Sequence, residues 1–526
     1  MTTPPSGPVQ VVTGAYAIGV ADPDRIALIN EATSVQLTFG ELRRRANRVS
    51  NALRERGIGA DDVVVSQQRN GIEHFELLLG TFQIGAVMVP TSTHLTPAEV
   101  EYVLHDAGAK AIVATADLAE RLAYSNITLP ALRFAVPSLA APGWTSFSEL
   151  NAFSSDDVPD DRRTGVQMYY TSGTTGKPRG VRRKAAPVSP DLVASGMASF
   201  LDVFGTLADP PGTALLFSPS YHAAPGTNTI AALHRGLTVV IQPKFDAEQA
   251  LAAIEQHRVS VANAVPTHIH RLLQLPERTR SAYDLSSLRG FVVAGAPFSR
   301  TLKARALEWL GPRVWEYLGS TEGVAAVVSP QEALEHPGTV GRPADAVILD
   351  ESGQQVPAGE NGTIFFRAPG SEFVYLNDNE KTTKAVRGDG YVTAGDLGYM
   401  DEDGYLYLLD RRVDLIITGG VNVYPAEIEQ RLAEHEAVRD CAVVGLPDPE
   451  WGNIVVAAVE LNEDVSPGDT LSEELRSFCR QTLAGPKTPR RFIFRATLPR
   501  TETGKMLRRE VREQLVLESA HPSEPS

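Results

Sequence analysis

The sequence predicts an α/β fold, in which a large N-terminal domain of layered α/β subdomains and a β-rich subdomain precedes a small α+β domain. Three observations predict it. Short apolar runs alternate with helical stretches from about residue 35 to 115, and again from about residue 214 to 297. From about Thr339, short aromatic segments broken by turns such as "DEDG" replace that alternation. The last stretch, of roughly 100 residues, combines both patterns and has an ordinary domain size.

The first alternating segment supplies helices and strands in turn. "TFGELRRRANRVSNALRERGI" has a threonine cap and helical spacing, and "DDVVVSQ" suits a buried strand. "HFELLLGTFQIGAVMVP" and "TPAEVEYVLHDAGAKAIVAT" each predict a helix followed by a strand, and the second opens with Thr96 and Pro97. Such alternation indicates a parallel sheet covered by helices. We interpret the polar segment from Val136 to Arg163 as a surface connection.

The later segments complete the predicted architecture. The runs "ALLFSPSYH", "LTVVIQP", "SVANAVP" and "LRGFVVAGAP" predict a second α/β layer, and "GTIFFRA", "GYVTAGDLGYM" and "GYLYLLDRR" predict antiparallel strands. The last domain opens with "VDLIITGGVNVYPAEIEQRLAEH", where Pro425 fits the first turn of a helix that ends near His435. Two strands, a helix and a final strand follow, and we expect residues 520–526 to form a frayed tail.

Composition limits the functions that this chain can have. Its 526 residues carry a net charge of −15, which disfavours nucleic acid as a partner and requires a local basic pocket for any anionic ligand. The two cysteines match neither a metal site nor a disulfide framework. We find no signal peptide and no apolar run long enough to span a membrane, so we expect a cytoplasmic protein. The oligomeric state stays open, with a homodimer as one option.

The stretch "YYTSGTTGKPRGVRR", from Tyr169 to Arg183, is dense in glycines, hydroxyls and positive charge. It is not a Walker-type loop, because only two residues separate Gly173 from Gly176 and Pro178 follows the lysine. Its glycines still allow backbone amides to turn toward an anion, and the hydroxyls and the lysine add donors. A flexible surface loop is the alternative, but such density favours a phosphate site. The members of that site would be Thr171, Ser172, Gly173, Thr174, Thr175, Gly176 and Lys177.

Seven motifs occur in order along the chain: "YTSGTTGKPRG", "SPSYHAAP", "VVAGAP", "YLGSTEG", "TAGDLGYMDEDGYLYLLDRR", "TGGVNVYPAEIE" and "PRTETGK". Together they resemble the adenylate-forming superfamily, which contains the acyl-CoA synthetases. The resemblance spans nearly the whole chain and implies an ATP-dependent, AMP-forming acid–CoA ligase for a fatty or aromatic acid. In that reaction a carboxylate attacks the α-phosphate of ATP to give acyl-AMP, and the thiol of CoA then displaces AMP. The glycine-rich loop would hold the β- and γ-phosphates.

The resemblance assigns the first chemical step to a few residues. Lys505 matches the lysine that bridges the attacking carboxylate oxygen and the α-phosphate, and Gly504 would let its loop approach closely. Glu322 would hold Mg²⁺, which prefers carboxylate and phosphate oxygens, while Thr321 would contact the α-phosphate. Taken without the resemblance, Lys505 is equally compatible with a surface lysine that caps a basic helix.

The acid would lie beside the second and third motifs. His222 stands where relatives carry a residue that gates the carboxylate pocket, although a single histidine is also typical of a packed core. The small residues Ala223, Ala224 and Gly226 that follow would leave room for the acyl group. Relatives line adenine and the acyl pocket with a thin wall, which corresponds here to Gly295, Ala296 and Pro297.

The nucleotide would be held by the fourth and fifth motifs. Asp396 resembles the carboxylate that accepts both ribose hydroxyls, and Arg411 resembles the arginine that donates to the same ribose. A turn residue and a solvated charge explain these two equally well from local sequence. Relatives usually stack an aromatic ring on adenine where this chain has Leu318, which lacks a π-face. Either the affinity for the nucleotide is lower, or Tyr317 compensates.

The resemblance also implies that the C-terminal domain moves relative to the rest of the chain. We divide the chain into an adenylation domain (1–412) and a C-terminal domain (413–519), with the hinge at their junction. One orientation would present the catalytic lysine, and the other would present a turn with Gly419 and Gly420 to the thiol in the pantetheine tunnel. A tight turn alone also explains the glycine pair. Val413 departs from the Lys or Asp that relatives often carry at the hinge, which leaves the tuning of the rotation open.

Several rival functions share the same ATP site. The adenylate can pass to a carrier-protein thiol or to an amine, and some relatives activate small inorganic acids such as nitrite. A chain without an attached carrier segment favours CoA. The basic segment "PKTPR" is either a solvated loop or a contact for the 3′-phosphate of CoA. A non-catalytic nucleotide-binding protein is disfavoured, because the lysine, carboxylates and arginine of the motifs are all present.

Overall fold

The fold is seen in a computed structural model, which describes residues 12–137, 141–171, 178–208, 212–343, 345–367, 372–411, 414–418, 421–501, 504 and 506–520. Its helices and strands follow the predicted order, and the predicted fold class is confirmed. Within these ranges, no helix combines the length and the apolar character needed to cross a membrane.

The first part of the chain builds most of one sheet and its helices. Its strands are β1 (Ile26–Asn30), β2 (Val35–Thr38), β3 (Val63–Gln67), β4 (Val87–Pro90), β5 (Ala109–Thr115), β6 (Leu132–Val136), β7 (Thr145–Ser146), β8 (Val166–Gln167), β9 (Tyr169–Thr171) and β10 (Arg179–Arg183). Its helices are α1 (Ala15–Ala21), α2 (Phe39–Glu55), α3 (Ile72–Phe82), α4 (Pro97–Asp106), α5 (Ala116–Ala123), α6 (Ser148–Asn151) and α7 (Pro190–Ser199). The Thr38 hydroxyl accepts from the Glu41 amide at the start of α2, and Thr96 and Glu99 form a capping box at α4, as the sequence predicts.

The middle of the chain builds the second sheet, preceded by 3₁₀ turns at Phe200–Ala208. Its strands are β11 (Thr213–Leu216), β12 (Thr238–Ile241), β13 (Val261–Ala264), β14 (Gly290–Val293), β15 (Val314–Ser320) and β16 (Gly323–Val328). Its helices are α8 (Ala223–Arg235), α9 (Ala247–Gln256), α10 (Pro266–Gln274), α11 (Glu277–Arg280), α12 (Arg300–Leu310) and α13 (Pro330–Glu335). Gly236 ends α8 with a left-handed φ of 89°, a conformation that glycine adopts without strain.

The β-rich part and the C-terminal domain follow. The β-rich part has β17 (Ala346–Leu349), β18 (Gly362–Arg367), β19 (Phe373–Tyr375), α14 (Asn379–Ala385), β20 (Tyr391–Val392), β21 (Asp396–Met400) and β22 (Leu406–Arg411). The C-terminal domain has β23 (Ile416–Thr418), β24 (Val421–Val423), α15 (Pro425–Leu432), β25 (Val438–Asp448), β26 (Gly452–Leu461), α16 (Asp469–Arg480), β27 (Arg491–Arg495) and α17 (Arg508–Ala520).

Two sheets with parallel interiors form the N-terminal layers. One has the order β7-β6-β5-β3-β4-β8 and is parallel throughout, as the alternation predicts. The other has the order β16-β15-β14-β13-β11-β12-β1-β2, with antiparallel strands only at its two edges. The N-terminal hairpin β1–β2 therefore joins a sheet whose other strands lie far along the chain, a pairing that local sequence does not indicate.

Smaller antiparallel sheets surround these layers. Strands β17, β18, β20, β21 and β22 form the predicted β-rich subdomain. Strand β10 pairs with both β9 and β19, and its register places Val181 opposite both Tyr169 and Tyr375. This three-stranded sheet brings the strands that flank the glycine-rich loop next to a distant segment of chain, and this arrangement positions the site described below.

The segment from Val136 to Arg163 is not the surface connection that its polar composition suggests. It contains β7 and α6, and it buries Trp144, Phe147 and Leu150. Phe147 packs into the large core that both sheets share. Trp144 packs into a second core, which lies on the six-stranded parallel sheet. A few well-spaced apolar residues are enough to anchor a polar segment, because each large buried side chain contributes about 1.5–3 kcal/mol.

Replacing Phe147 with alanine tests this packing. The ring is only 1% exposed, so we expect Phe147→Ala to lower the free energy of unfolding by about 3–5 kcal/mol through lost burial and a residual cavity. Urea denaturation followed by circular dichroism measures the change. Tyr124→Ala is the control, because that ring is 71% exposed and its loss should change stability by less than about 0.5 kcal/mol. Equal effects of the two changes would contradict this packing.

Candidate active site

A cleft of about 2210 Å³ lies between the N-terminal layers and the C-terminal domain. Its walls come from the β15–β16 turn, the start of α8, the end of β14 and the segment before α17. Four predicted site residues of these elements line it: His222, Gly295, Thr321 and Glu322. The fold therefore gathers residues that lie far apart in sequence around one space.

Glu322 is held in the tight turn between β15 and β16. Its carboxylate is 5% exposed, and both of its oxygens are hydrogen-bonded. The Tyr375 hydroxyl donates to Oε1 at 2.5 Å, and the Thr321 hydroxyl donates to Oε2 at 2.9 Å. Charge-assisted hydrogen bonds of this kind are short and strong, so they fix the direction in which the remaining lone pairs point.

A half-buried arginine supports the same turn. Arg183, at the end of β10, donates to the backbone oxygens of Thr321 and Glu322 at 3.0 Å each. Burial lowers the pKa of Arg183, and the negative charge of Glu322 opposes that shift. The Lys381 ammonium adds a second positive charge, 3.8 Å from the centre of the Tyr375 ring. Sequence reasoning noted the basic end of the loop but gave Arg183 no role, and it missed Tyr375, which reads only as an apolar strand residue.

The carboxylate of Glu322 suits magnesium better than it suits a metal ion whose ligands all come from protein side chains. No group of three or more His, Cys, Asp or Glu side chains converges on a metal position anywhere in the described ranges. Mg²⁺ is usually bound through one or two carboxylates together with waters and substrate phosphates, and not in an all-protein cage. Glu322 is a single carboxylate oriented by its hydrogen bonds, in a cleft that Arg183 and Lys381 also line, so it resembles the protein side of such a magnesium site.

The two faces of β15 separate the residues that were predicted to contact the nucleotide. Leu318 lies with Asp396 around a small hollow. Tyr317 points the opposite way, into the core, where Phe200 and Phe204 pack around its ring. Successive side chains alternate across a strand, so Tyr317 lies on the face away from Leu318 and Asp396, and its compensation for Leu318 at the nucleotide stays a prediction. The register of β21 and β22 places Asp396 opposite Arg411, as two partners of one ribose would require.

The small residues after His222 have different roles. His222 caps α8 and packs against Tyr221, and Ala223 and Ala224 line the cleft, as expected. Gly226 does not leave room for an acyl group. A Cβ there would lie 2.6 Å from the Ser220 carbonyl oxygen and 2.7 Å from the hydroxyl of Tyr169, so the position must be glycine for packing.

The predicted thin wall lies at the end of β14. Gly295 has a φ of +88° and lines the cleft. Ala296 is half-buried and Pro297 is exposed beside it. A left-handed backbone without a side chain allows close approach of a ligand at this point.

Gly504, the residue before Lys505, packs on the N-terminal domain. Gly504 has a φ of +72°, and a Cβ there would lie 2.5 Å from Thr267 Cβ at the start of α10. Arg500 closes the loop by donating to the Gly504 carbonyl oxygen, and its Nε donates to Asp440 Oδ2 at 2.9 Å. The predicted need for glycine before the lysine is confirmed by this contact, because no other residue fits the space or the backbone conformation.

Several predicted residues lie outside the described part of the chain, and their roles stay predictions. They are Ser172, Gly173, Thr174, Thr175, Gly176, Lys177, Gly419, Gly420 and Lys505. The backbones of Thr171 and Arg411 end β9 and β22. The hinge at residues 412 and 413 is likewise outside the described ranges, so the division at that point is still a prediction.

Comparison with known proteins agrees with this architecture. The family described as AMP-binding enzyme matches residues 19–376, and the AMP-binding enzyme C-terminal domain matches residues 427–505. The chain therefore belongs to the AMP-binding enzymes of the adenylate-forming superfamily, as its motifs predict.

Its relatives include ligases for different acids. It is 36% identical over 490 residues to a feruloyl-CoA synthase of Amycolatopsis sp, covering 90% of this chain and 93% of the relative. It is 32% identical over 499 residues to the long-chain-fatty-acid–CoA ligase FadD13 of Mycobacterium tuberculosis, covering 93% and 95%.

Solved structures share the fold over nearly the whole chain. The amide bond synthetase McbA from Marinactinospora thermotolerans superposes with a TM-score of 0.81 at 28% identity, covering 95% of this chain and 99% of that one. The O-succinylbenzoate–CoA synthetase MenE from Bacillus subtilis, in complex with ATP and a magnesium ion, gives a TM-score of 0.77 at 28% identity, covering 94% and 98%.

The hydrogen bond to Glu322 generates a binding prediction. Tyr375→Phe keeps the ring under Lys381 but removes the donor to Oε1, which leaves the carboxylate less oriented. Loss of such a partner typically costs about 10- to 100-fold in metal affinity, so we expect magnesium-dependent ATP binding to weaken by that factor. Isothermal titration calorimetry with and without magnesium measures it. Tyr283→Phe is the matched control, because it removes a hydroxyl that donates to Glu248 Oε1 at 3.0 Å away from the cleft. ATP affinity that stays the same in Tyr375→Phe would show that this hydrogen bond does not position a metal ligand.

Proposed function

We propose that this chain is an ATP-dependent, AMP-forming acid–CoA ligase whose acid is aromatic. The reaction class predicted from the motifs is supported by relatives that are named CoA ligases. ATP and magnesium are supported by the structure of a relative that holds both. The observation that carries the aromatic assignment is the set of rings in the wall of the cleft that Thr321 and Glu322 also line. Phe200, Tyr221 and Tyr317 all line the cleft there.

Aromatic side chains form one part of the cleft wall, named here the acyl chamber: Phe200, Tyr221, His222 and Tyr317. Phe200 and Tyr317 meet edge to face, with their ring centres 6.3 Å apart. Tyr221 and His222 pack at 4.7 Å at the entrance to α8. Aromatic pairs of this geometry are worth about 0.5–1.5 kcal/mol beyond the area that they bury, and a planar acid can join them with the same edge and face contacts. The chamber also has aliphatic walls, so a fatty acid is the alternative substrate to be tested beside it.

The proposed first step brings two anions together, a carboxylate and the α-phosphate of ATP. Glu322 would hold magnesium, which when bound would neutralise phosphate charge. Thr321 would contact the α-phosphate, and Lys505, next to Gly504, would bridge the two reacting groups. Positive charge aimed at the new bond is the largest contribution available to such a reaction.

The remaining residues have positioning roles in this proposal. Asp396 and Arg411, paired across two strands, would hold the ribose hydroxyls. His222 at the start of α8 would bound the carboxylate pocket. The contact at the residue before the lysine corresponds to the orientation that presents the lysine, and rotation about the hinge would bring Gly419 and Gly420 to the thiol for the second step. A homodimer and a cytoplasmic location stay predictions of the sequence, and light scattering tests the first.

Transfer of the adenylate to an amine is a second candidate. It is favoured by the likeness to the amide bond synthetase McbA over 95% of the chain. Both candidates share the first step, so only the acceptor separates them. Reactions with CoA, with a set of amines and with neither acceptor decide between them.

The first experiment identifies the product. The protein is incubated with ATP, magnesium and a panel of aromatic and fatty acids, with and without CoA, and the products are measured by mass spectrometry. Aryl-CoA that appears only with CoA supports the proposal. Fatty acyl-CoA alone would overturn the aromatic assignment, and AMP or acyl-AMP without a thioester would overturn CoA as the acceptor.

Removing the lysine should separate the two half-reactions. We expect Lys505→Ala to slow acyl-AMP formation by about a hundred- to a thousandfold, because one charge contact to the transition state is lost. Thioester formation from supplied acyl-AMP should be largely retained. Stopped assays of each half-reaction measure the two rates. A parallel loss of both would contradict the assignment of Lys505 to the first step.

A methyl group added at Gly504 should also slow acyl-AMP formation. Gly504→Ala places a methyl group against Thr267 and forces a left-handed conformation on alanine. We expect acyl-AMP formation to fall while thioester formation from supplied acyl-AMP falls less. The double variant with Thr267→Gly removes the steric part and should recover some of the rate. No recovery, together with an equal loss of both half-reactions, would show that this contact is not used in the first step.

A further inference from the structure

The acyl chamber contains a buried polar pair that the proposed reaction does not use. Asn228, on α8, donates from Nδ2 to the Tyr317 hydroxyl at 2.9 Å and to the Ala224 carbonyl oxygen at 2.8 Å. Both side chains are 6% exposed. Tyr317 and Ala224 also line the cleft, so the pair lies directly behind its wall.

The hydrogen bonds of this pair are incomplete. The amide of Asn228 uses both hydrogens, and its Oδ1 has no partner among the described residues. The amide cannot be turned around, because the Ala224 carbonyl oxygen only accepts. The Tyr317 oxygen accepts from Asn228, and within the described part of the chain no residue accepts the hydrogen of the Tyr317 hydroxyl. Buried polar groups are nearly always satisfied, so the open donor of Tyr317, which lines the cleft, indicates a partner that the protein does not supply.

The surroundings make Tyr317 a neutral donor. Phe200 and Phe204 pack around its ring, and burial raises its pKa to about 12. The phenol therefore keeps its hydrogen at any pH at which the enzyme works. In a dry, apolar chamber an unmet donor costs free energy that a ligand can recover by accepting from it.

The pair lies at a suitable distance from the reacting groups. Tyr317 lies on β15 and precedes Thr321, in the turn after that strand, by four residues. An extended chain rises about 3.3 Å per residue, so the two Cα atoms are at most roughly 13 Å apart. An acid whose carboxylate lies beside Thr321 would bring the far edge of its ring toward Tyr317. A substituent on that edge, and not the carboxylate, would therefore meet the open donor.

We propose that the aromatic acid carries a ring hydroxyl, which Tyr317 recognises by donating a hydrogen bond to it, while Asn228 positions Tyr317. The oxygen of a ring hydroxyl can accept such a bond, and of the two residues it is Tyr317 that lines the cleft. The inference rests on the proposed function, since it names a feature of the same acid. It makes Tyr317 a specificity-determining residue, although its position in sequence had suggested contact with the nucleotide.

Matched pairs of acids test the inference. Benzoate and 4-hydroxybenzoate, and cinnamate and 4-hydroxycinnamate, differ only in the hydroxyl and sample two lengths. We expect kcat/KM of the wild type to favour a hydroxylated acid. Tyr317→Phe should lower kcat/KM for that acid by about tenfold and leave the unsubstituted acid within about twofold, since one hydrogen bond is lost. Asn228→Ala should lower the same preference, because the hydroxyl of Tyr317 loses its orientation.

The control separates recognition from loss of a tyrosine hydroxyl elsewhere. Tyr283→Phe removes a hydroxyl that donates to Glu248 Oε1 at 3.0 Å, at a position that does not line the cleft, and it should leave the preference between acids unchanged. Equal losses for both acids in Tyr317→Phe, or a wild type without preference for either hydroxylated acid, would overturn the inference. The proposed function fails separately, if no acid of either pair gives acyl-CoA while a fatty acid does.

Discussion

The buried charge of Glu322 is the constraint on which the site depends. A carboxylate at 5% exposure is costly unless it is hydrogen-bonded and balanced by positive charge. Tyr375, Thr321 and Arg183 provide this support from three separate segments. This support requires β10 to pair with β19 and β15 to turn sharply into β16. The small sheet of β10 and β19 therefore holds Arg183 and Tyr375 next to Glu322.

Strand β15 directs neighbouring side chains to opposite faces by its pleat. Leu318 faces the hollow shared with Asp396, whereas Tyr317 bonds to Asn228 and lines the cleft. In the proposed function these two residues would therefore serve different substrates. Thr321 and Glu322 follow in the turn after the strand, so one strand would position the reacting groups and keep the surfaces for the nucleotide and the acid apart.

The C-terminal domain contacts the N-terminal domain at Gly504, where no side chain fits. Gly504 packs on Thr267, and Arg500 with Asp440 keeps the loop closed behind it. The C-terminal part has its own cores, built on β25 and β26. A contact of this kind between separately packed cores is what the predicted rotation of the C-terminal domain would need.

The sequence by itself determined the local structure and the kind of site. Helix caps such as Thr38 and Thr96, the alternation of strands with helices, the motif that places Thr321 beside Glu322 and the glycine before Lys505 all act over a few residues. Only the tertiary structure decided which strands pair, as with β1 in the second sheet, and which side chains support the site, as with Tyr375 and Asn228. It also showed that Gly226 makes room for Tyr169. These features join residues tens to hundreds of positions apart, and burial and hydrogen bonding between them depend on the packed fold, which local patterns do not encode.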